Sequence, residues 1–308
     1  MFLIILILIM LAVILFGSWY AYRIAFFSPE KGRDEIPQTN GQQYDPFRPR
    51  MRQMYRNLAD RPCEFVTIKS HDGLTLSARY YHIAEDAPLA ICFHGYKSHA
   101  LTDFSGGCEL SFALGHNILL VDQRAHGNSQ GKTITYGILE RQDLLRWVHY
   151  ATDRFGTDIP ILLYGISMGG ATVLMASELD LPENVKAIVA DCPYAVAEDI
   201  ILHVGAKLHY PPKLVRPFLH LGACLYGRFN LKETDALRAV RNAKVPILII
   251  HGESDNFVPG YMSEAIQLAN PELVTRLTIP GADHGISYLV DTQKYTETVR
   301  DFLIKVLA

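Results

Sequence analysis

From residue 63 onward the chain alternates short apolar runs with longer stretches in which apolar residues recur every three or four positions. Near-continuous apolar runs of this length are what strands buried on both faces of a sheet require. The runs predict strands at Glu64–Ser70, Leu74–His82, Leu89–Phe93, Ile118–Asp122, Ile161–Tyr164, Ala187–Ala190, Ile247–Ile250 and Arg276–Ile279. His71-Asp72-Gly73 is a hairpin signal joining the first two. Helical periods follow near 106–115, 137–155, 169–180, 261–269 and 291–307. Strands separated by helices imply right-handed crossovers and a largely parallel sheet. A longer segment, 194–242, holds two or three helical patterns and sits where a cap insertion is expected.

The first 62 residues have a different pattern. Met1 to Tyr22 carry no charged side chain, and Trp19, Tyr20 and Tyr22 cluster at the end of the run. As a helix this stretch is about 33 Å long, enough to cross a hydrocarbon core, and the aromatic cluster suits a membrane interface. A cleaved signal peptide is the alternative, but no basic residue precedes the run and no A-x-A-like site follows it. The expectation is a retained transmembrane anchor at 1–22, with the membrane as a partner. Arg23, Lys31 and Arg33 follow the run, which places the bulk of the chain on the cytoplasmic side. Residues 23–62 are expected to form a juxtamembrane linker. Met51, Met54, Tyr55 and Leu58 make one amphipathic helix within it, which either packs on the globular domain or lies on the membrane.

Composition narrows the function. The 308 residues are 49 % hydrophobic and 20 % charged, with a net charge of −3. That balance suits one large α/β domain plus an extension, and offers no broad basic face for nucleic acid. The five cysteines show no C-x-x-C spacing, which suggests free thiols.

The candidate chemistry begins at Gly165-Ile166-Ser167-Met168-Gly169. A G-x-S-x-G pentad between a strand and a helix is the nucleophile elbow. By composition alone, about one chain in ten of this length contains the pentad, so context decides. A serine hydroxyl needs a general base, and the base needs an orienting carboxylate. In doubly wound hydrolases the order along the chain is Ser, Asp/Glu, His, each at a strand's carboxyl end. Here Asp255 follows the strand 247–250, and His284 follows the last strand. Glu253 and Asp191 are rival acids, while Asp283 adjoins His284 in the same turn and is poorly placed to meet it. His94 and His251 sit in His-Gly turns after strands and are expected to be structural. Oxyanion donors are expected from the backbone N–H groups of Met168 and Tyr96, the latter in the loop after the third strand.

Together, Phe93-His94-Gly95-Tyr96, Asp122 to Ser129, the pentad, His251 to Pro259 and Gly281-Ala282-Asp283-His284 make residues 63–308 resemble the α/β-hydrolase superfamily. Within it the chain is similar to bacterial membrane-anchored members near the serine aminopeptidase and Bem46-like groups. The resemblance implies an α/β fold with an eight-stranded mostly parallel sheet, a helical cap, the triad Ser167, Asp255 and His284, and no cofactor or metal. The sequence holds no H-E-x-x-H, paired C-x-x-C or P-loop motif. Arg124 and His126 are expected to fix a loop. The cap residues, among them Ile200, Leu208, Leu214, Phe218, Leu225 and Phe229, either line an apolar acyl pocket or bury the cap against the domain. The preferred function is hydrolysis of apolar or lipid-derived carboxylic esters. A serine peptidase, with Glu198 or Asp199 holding a substrate amine, and a silent membrane-bound binding module are the alternatives.

Overall fold

The computed structural model describes residues 1–29 and 41–308. Lys31 and Arg33, used above for orientation, lie outside the described residues. The elements run α1 (Phe2–Ala25), a 3-10 turn (Gln42–Phe47), α2 (Arg48–Ala59), β1 (Glu64–Lys69), β2 (Thr75–Tyr81), β3 (Leu89–Phe93), α3 (Ala100–Ala113), β4 (Asn117–Asp122), α4 (Glu140–Phe155) and β5 (Ile161–Ile166). They continue with α5 (Met168–Ala176), β6 (Val185–Asp191), α6 (Ala197–Lys207), α7 (Pro212–Gly222), a π turn (Ala223–Gly227) and α8 (Ala236–Arg241). The chain closes with β7 (Ile247–Gly252), α9 (Tyr261–Ala269), β8 (Val274–Ile279), α10 (Ser287–Val290) and α11 (Thr292–Leu307).

All eight expected strands join one sheet in the order β1-β2-β4-β3-β5-β6-β7-β8. β2 runs antiparallel to both β1 and β4, and every other pairing is parallel. The five residues of β3 and the six of β4 are all buried, because helices cover both faces of the sheet. One cluster of buried side chains lies on each face. The first includes Ile91, Leu163, Trp147 and Val173, and the second includes Cys92, Leu162, Ile250 and Val299.

The strand order reverses direction at β3. From there β4 lies on one side and β5 on the other. Loops leaving the carboxyl ends of β3 and β5 therefore diverge to opposite faces of the sheet and leave a crevice between them. Residues 94–98 and Ser167 stand at that crevice.

The N-terminal helix departs from expectation. It reaches Ala25 rather than ending at 22, and its last part belongs to the folded core instead of standing apart. Ser18, Ala21, Tyr22, Ala25 and Phe26 are buried. Gly222 of α7 allows the close approach, since a Cβ there would lie 2.6 Å from the Ser18 carbonyl oxygen. Phe26 is fully enclosed and meets the rings of Tyr136 and Phe229 edge-on, with centroids at 5.9 and 5.2 Å. The backbone then bonds to the loop before α4, with Ile134 N–H donating to the Phe26 carbonyl at 2.7 Å and Ser28 N–H to that of Lys132 at 2.9 Å. Sequence could not separate these fates, because an apolar helix reads the same against lipid and against protein. Phe26→Ala removes a ring from a filled site. It should lower unfolding stability of the full chain by about 3–5 kcal/mol, read as a shift in the denaturant midpoint in detergent.

Candidate active site

β5 ends at Ile166, and α5 begins two residues later at Met168. Ser167, between them, has φ 55° and ψ −112°. Such a conformation costs a non-glycine residue about 1–3 kcal/mol and persists only where the surroundings enforce it. Two glycines make the enforcement possible. A Cβ on Gly165 would collide with the Gly169 carbonyl, and a Cβ on Gly169 would collide with the Phe93 carbonyl at the end of β3. The Ser167 N–H donates to the Asp191 carbonyl at 2.8 Å, which ties the turn to β6 as well.

The structure brings the three expected side chains together. Ser167 Oγ lies 2.9 Å from His284 Nε2, and His284 Nδ1 lies 2.7 Å from Asp255 Oδ2. The acceptor Oδ2 identifies Nδ1 as the protonated nitrogen, leaving Nε2 to accept from the serine hydroxyl. Asp255 is buried, with only 7 % of its surface exposed. Burial alone would raise its pKa. Hydrogen bonds from His251 and His284 outweigh burial and hold the carboxyl below the usual carboxylate range. Its other oxygen, Oδ1, accepts from the Phe257 and Val258 N–H groups at 2.9 and 2.7 Å. Neither rival acid makes such a contact with His284. Glu253 Oε2 accepts from Gly281 N–H at 3.3 Å. Asp191 is fully buried, and burial pushes its pKa up to about 6 against the pull of His251 and a hydrogen bond from Tyr295. Asp283 Oδ1 caps the N–H groups of Asn256 and His284.

Gly95 lies over Ser167, where a Cβ would come within 3.5 Å of Ser167 Cβ. The turn that follows it is fixed by side chains on both sides. Gly95 N–H donates to Asp103 Oδ2 at 2.7 Å, and Lys97 N–H donates to His126 Nε2 at 3.0 Å. Between them, among the described residues, the Tyr96 N–H meets no acceptor. Met168 N–H opens the first turn of α5, where amides have no intrahelical partner. His94 Nε2 accepts from Gln123 N–H at 3.1 Å and its Nδ1 faces the Gly95 carbonyl at 2.9 Å. His126 Nδ1 likewise faces the Arg124 carbonyl at 2.9 Å. Arg124 is clamped by Asp143 at 2.6 Å and Asp72 at 3.0 Å.

Comparison with known proteins agrees with this architecture. The sequence profile for the alpha/beta hydrolase fold matches residues 91–219. Bacillus subtilis YqkD is 27 % identical over 296 residues, covering 95 % of this chain and 93 % of that protein. Human ABHD12B is 28 % identical over 236 residues, covering 71 % and 61 %. Among solved structures, the Pyrococcus furiosus esterase Pf2001 superposes with a TM-score of 0.69 at 21 % identity, over 92 % of this chain and 99 % of that one. The chain has the α/β-hydrolase fold, and the profile match supports a place in that superfamily.

The cavity beside Ser167 does not lie beneath the cap. It measures about 370 Å³, and its lining, among the described residues, includes no side chain from 194–242. Its walls come instead from the 3-10 turn and α2 (Tyr44, Met51, Met54), from α3 (Gly106, Leu110) and from Tyr288 of α10. Gly106 marks the tightest point, since a Cβ there would lie 2.6 Å from the Tyr288 ring and 2.7 Å from Met54 Cε. The cap residues split otherwise. Ile200, Leu219 and Phe229 are buried in the core, while Leu208, Leu214 and Leu225 are exposed.

Sequence reasoning missed Tyr44 and Asp103. The Tyr44 hydroxyl donates to the His284 carbonyl at 3.3 Å. Asp103 Oδ1 accepts from Ser98 Oγ at 2.5 Å while Oδ2 holds Gly95. The signal for Asp103 was present: an acid in the first turn of the helix that follows the His-Gly loop. Tyr44 gave no signal, because it reaches the site from an irregular segment. Asp255→Asn keeps the shape of the site but removes the charge that fixes the His284 tautomer. It should slow fluorophosphonate labelling of Ser167 by about 10⁴-fold while leaving the unfolding midpoint within a few degrees.

Proposed function

We propose that the chain is a membrane-anchored serine hydrolase that cleaves carboxylic esters with an apolar acyl group. The observation that carries this reading is the unbroken line of hydrogen bonds from Ser167 Oγ through His284 to the ionised Asp255, opening onto a largely apolar cavity. Ser167 Oγ attacks the ester carbonyl carbon, and its proton passes to His284 Nε2. The carbonyl oxygen becomes an oxyanion and accepts from the Tyr96 and Met168 N–H groups. The tetrahedral adduct collapses, the C–O bond to the alcohol breaks, and the alkoxide takes the proton from Nε2. Water then attacks the acyl-enzyme in the same manner, again giving its proton to Nε2, and the acid leaves with Ser167 restored. Asp255 stabilises the imidazolium formed twice in this cycle and is not itself protonated. No step needs a metal or organic cofactor.

The cavity supports a single small acyl group. At about 370 Å³ it stands at the low end of small-molecule sites, about 300–1,000 Å³. That volume suits one chain rather than a two-chain lipid. Of the two amine anchors proposed for the peptidase alternative, Glu198 is paired with Arg216 at 2.7 Å and His220 at 3.0 Å, and neither it nor Asp199 lines the cavity. The esterase Pf2001 and the ferulic-acid-bound Est1E share the fold, which is compatible with an ester substrate. The anchor reading rests on α1, 24 residues that include an 18-residue stretch of mean hydropathy 2.9, long and apolar enough to cross a membrane. A yeast relative, 25 % identical over 194 residues, is described as a membrane protein. Arg23 at the end of α1 keeps the cytoplasmic side as the preferred location.

The test uses the full chain in detergent with p-nitrophenyl esters of graded length. Ser167→Ala should lower kcat/KM by at least about 10⁴-fold. Equal rates for the two proteins would end the mechanism, and faster release of amino-acid naphthylamides than of esters would favour the peptidase. Met51→Trp, which narrows the cavity from the α2 wall, should raise KM for medium-chain esters on the order of tenfold and leave p-nitrophenyl acetate unchanged. A uniform change across chain lengths would remove the acyl chain from this cavity.

A further inference from the structure

We infer that the cap face formed by α7 and the π turn is a second membrane contact, seated in the anionic interface of the bilayer that α1 enters. The inference rests on the reading of α1 as a membrane span. Its ground is the height at which the cap meets that helix. The Tyr226 hydroxyl donates to the Leu15 carbonyl at 3.2 Å, and Phe218 occupies the space beside Gly17. Tyr210 and Tyr20 share a hydrogen bond between hydroxyls at 3.2 Å. Cap contacts thus begin at Leu15, whereas the first charged side chain of α1 is Arg23. Eight residues of helix are about 12 Å long. Over that length α1 also exposes Phe16, Trp19 and Tyr20. Those side chains cannot lie in lipid unless the cap beside them is at the same depth. That length slightly exceeds the roughly 5–10 Å to which the apolar faces of interfacial helices sink.

The cap surface is built for that position. Leu214, Phe218, Leu221 and Leu225 stand at i, i+4, i+7 and i+11, which is one stripe along α7 and its extension. Phe218 packs on α1, while Leu214, Leu221 and Leu225 are 67 %, 38 % and 50 % exposed. Charge points the same way. From Ile200 to Lys232 there is no Asp or Glu, but there are Lys207, Lys213, Arg216, Arg228 and Lys232, in a chain whose net charge is −3. An apolar stripe flanked only by cations fits an anionic lipid surface. The salt bridge of Glu198 to Arg216 holds α7 on α6, so the stripe is presented rigidly.

One consequence concerns substrate entry. Tyr96 and Lys97 line the cavity, and both bond to the end of α1. The cavity rim therefore adjoins the lipid boundary, and an amphiphilic ester can pass into it without crossing bulk water.

The test places a reporter on the stripe. Cys224 is exposed beside Leu225, and Cys63 is the other accessible thiol. Full-length Cys63→Ser protein is labelled at Cys224 with nitrobenzoxadiazole and reconstituted into phosphatidylcholine–phosphatidylglycerol vesicles. The expected result is blue-shifted emission, quenching by nitroxide-bearing lipid and protection from aqueous iodide. Protein that floats with the vesicles while Cys224 remains open to iodide and untouched by lipid nitroxide overturns the inference. Protein that does not float overturns it together with the anchor. Leu214→Glu combined with Leu225→Glu should lower hydrolysis of a vesicle-borne medium-chain ester, relative to soluble p-nitrophenyl acetate, on the order of tenfold. An unchanged ratio counts against it. If neither ester is hydrolysed the ester reading falls, and the fluorescence result still decides the membrane contact.

Discussion

The closest constraint in the molecule is the passage of the α5 elbow over the end of β3. Gly169 lies where any side chain would strike the Phe93 carbonyl, and Gly165 where it would strike Gly169 itself. This approach fixes three things at once. It forces Ser167 to φ 55°, which lifts the hydroxyl above the sheet. It brings the first amides of α5 next to the turn after β3. It also sets β3 and β5 side by side at the point where the strand order reverses, so the crevice opens over Ser167. The strain at one serine is offset by parallel pairing along both strands and by burial of the whole of α5.

The second constraint joins that turn to the N-terminal helix. The Tyr96 hydroxyl donates to the Ala25 carbonyl at 2.7 Å, and Lys97 Nζ to that of Ile24 at 3.2 Å. The last carbonyls of a helix lack intrahelical donors, and here two consecutive residues of the proposed oxyanion turn supply them. The Tyr96 ring stacks on Tyr136 at 4.9 Å, and Tyr136 also meets Phe26. The turn is therefore held from below by Asp103 and His126 and from the side by α1. Removing α1 would take away a wall of the fold as well as the proposed anchor.

What was legible in the sequence follows from how strongly each feature constrains residue type. Strands buried on both faces, such as β3 and β4, leave no choice but apolar residues, so their positions could be read within one or two residues. The elbow needs glycine at two fixed positions, and the order Ser167, Asp255, His284 follows from the strand ends. The cavity wall was not legible. Met51 and Met54 gave a helical period, but a period says only that one face is covered, not that it covers a cavity beside Ser167. The cap misled for a related reason. Its leucines are apolar because some pack inward on the sheet-covering helices and others face outward beside α1, and composition alone cannot separate either from a substrate pocket. The packing of the end of α1 on the core was not legible either, because Tyr22 satisfies a membrane pattern and a protein core equally well.

The presence of two buried aspartates near His284 shows why position alone does not select the acid. Asp191 ends β6 and Asp255 follows β7, and both are withdrawn from water. Burial in a low-dielectric site penalises each carboxylate, and the difference lies in what replaces the lost water. Asp255 receives two backbone amides on one oxygen and His284 on the other, with His251 nearby at 3.4 Å, so its charge is fully solvated by the protein. Asp191 keeps one oxygen with no partner, and its pKa rises to about 6. A carboxylate left partly unsolvated by its site stabilises a neighbouring imidazolium less well than one whose charge is fully met by hydrogen bonds. The loop Ser254 to Pro259 thus matters less for where it places a carboxyl than for the amides of Phe257 and Val258, which keep that carboxyl charged in a site built to exclude water.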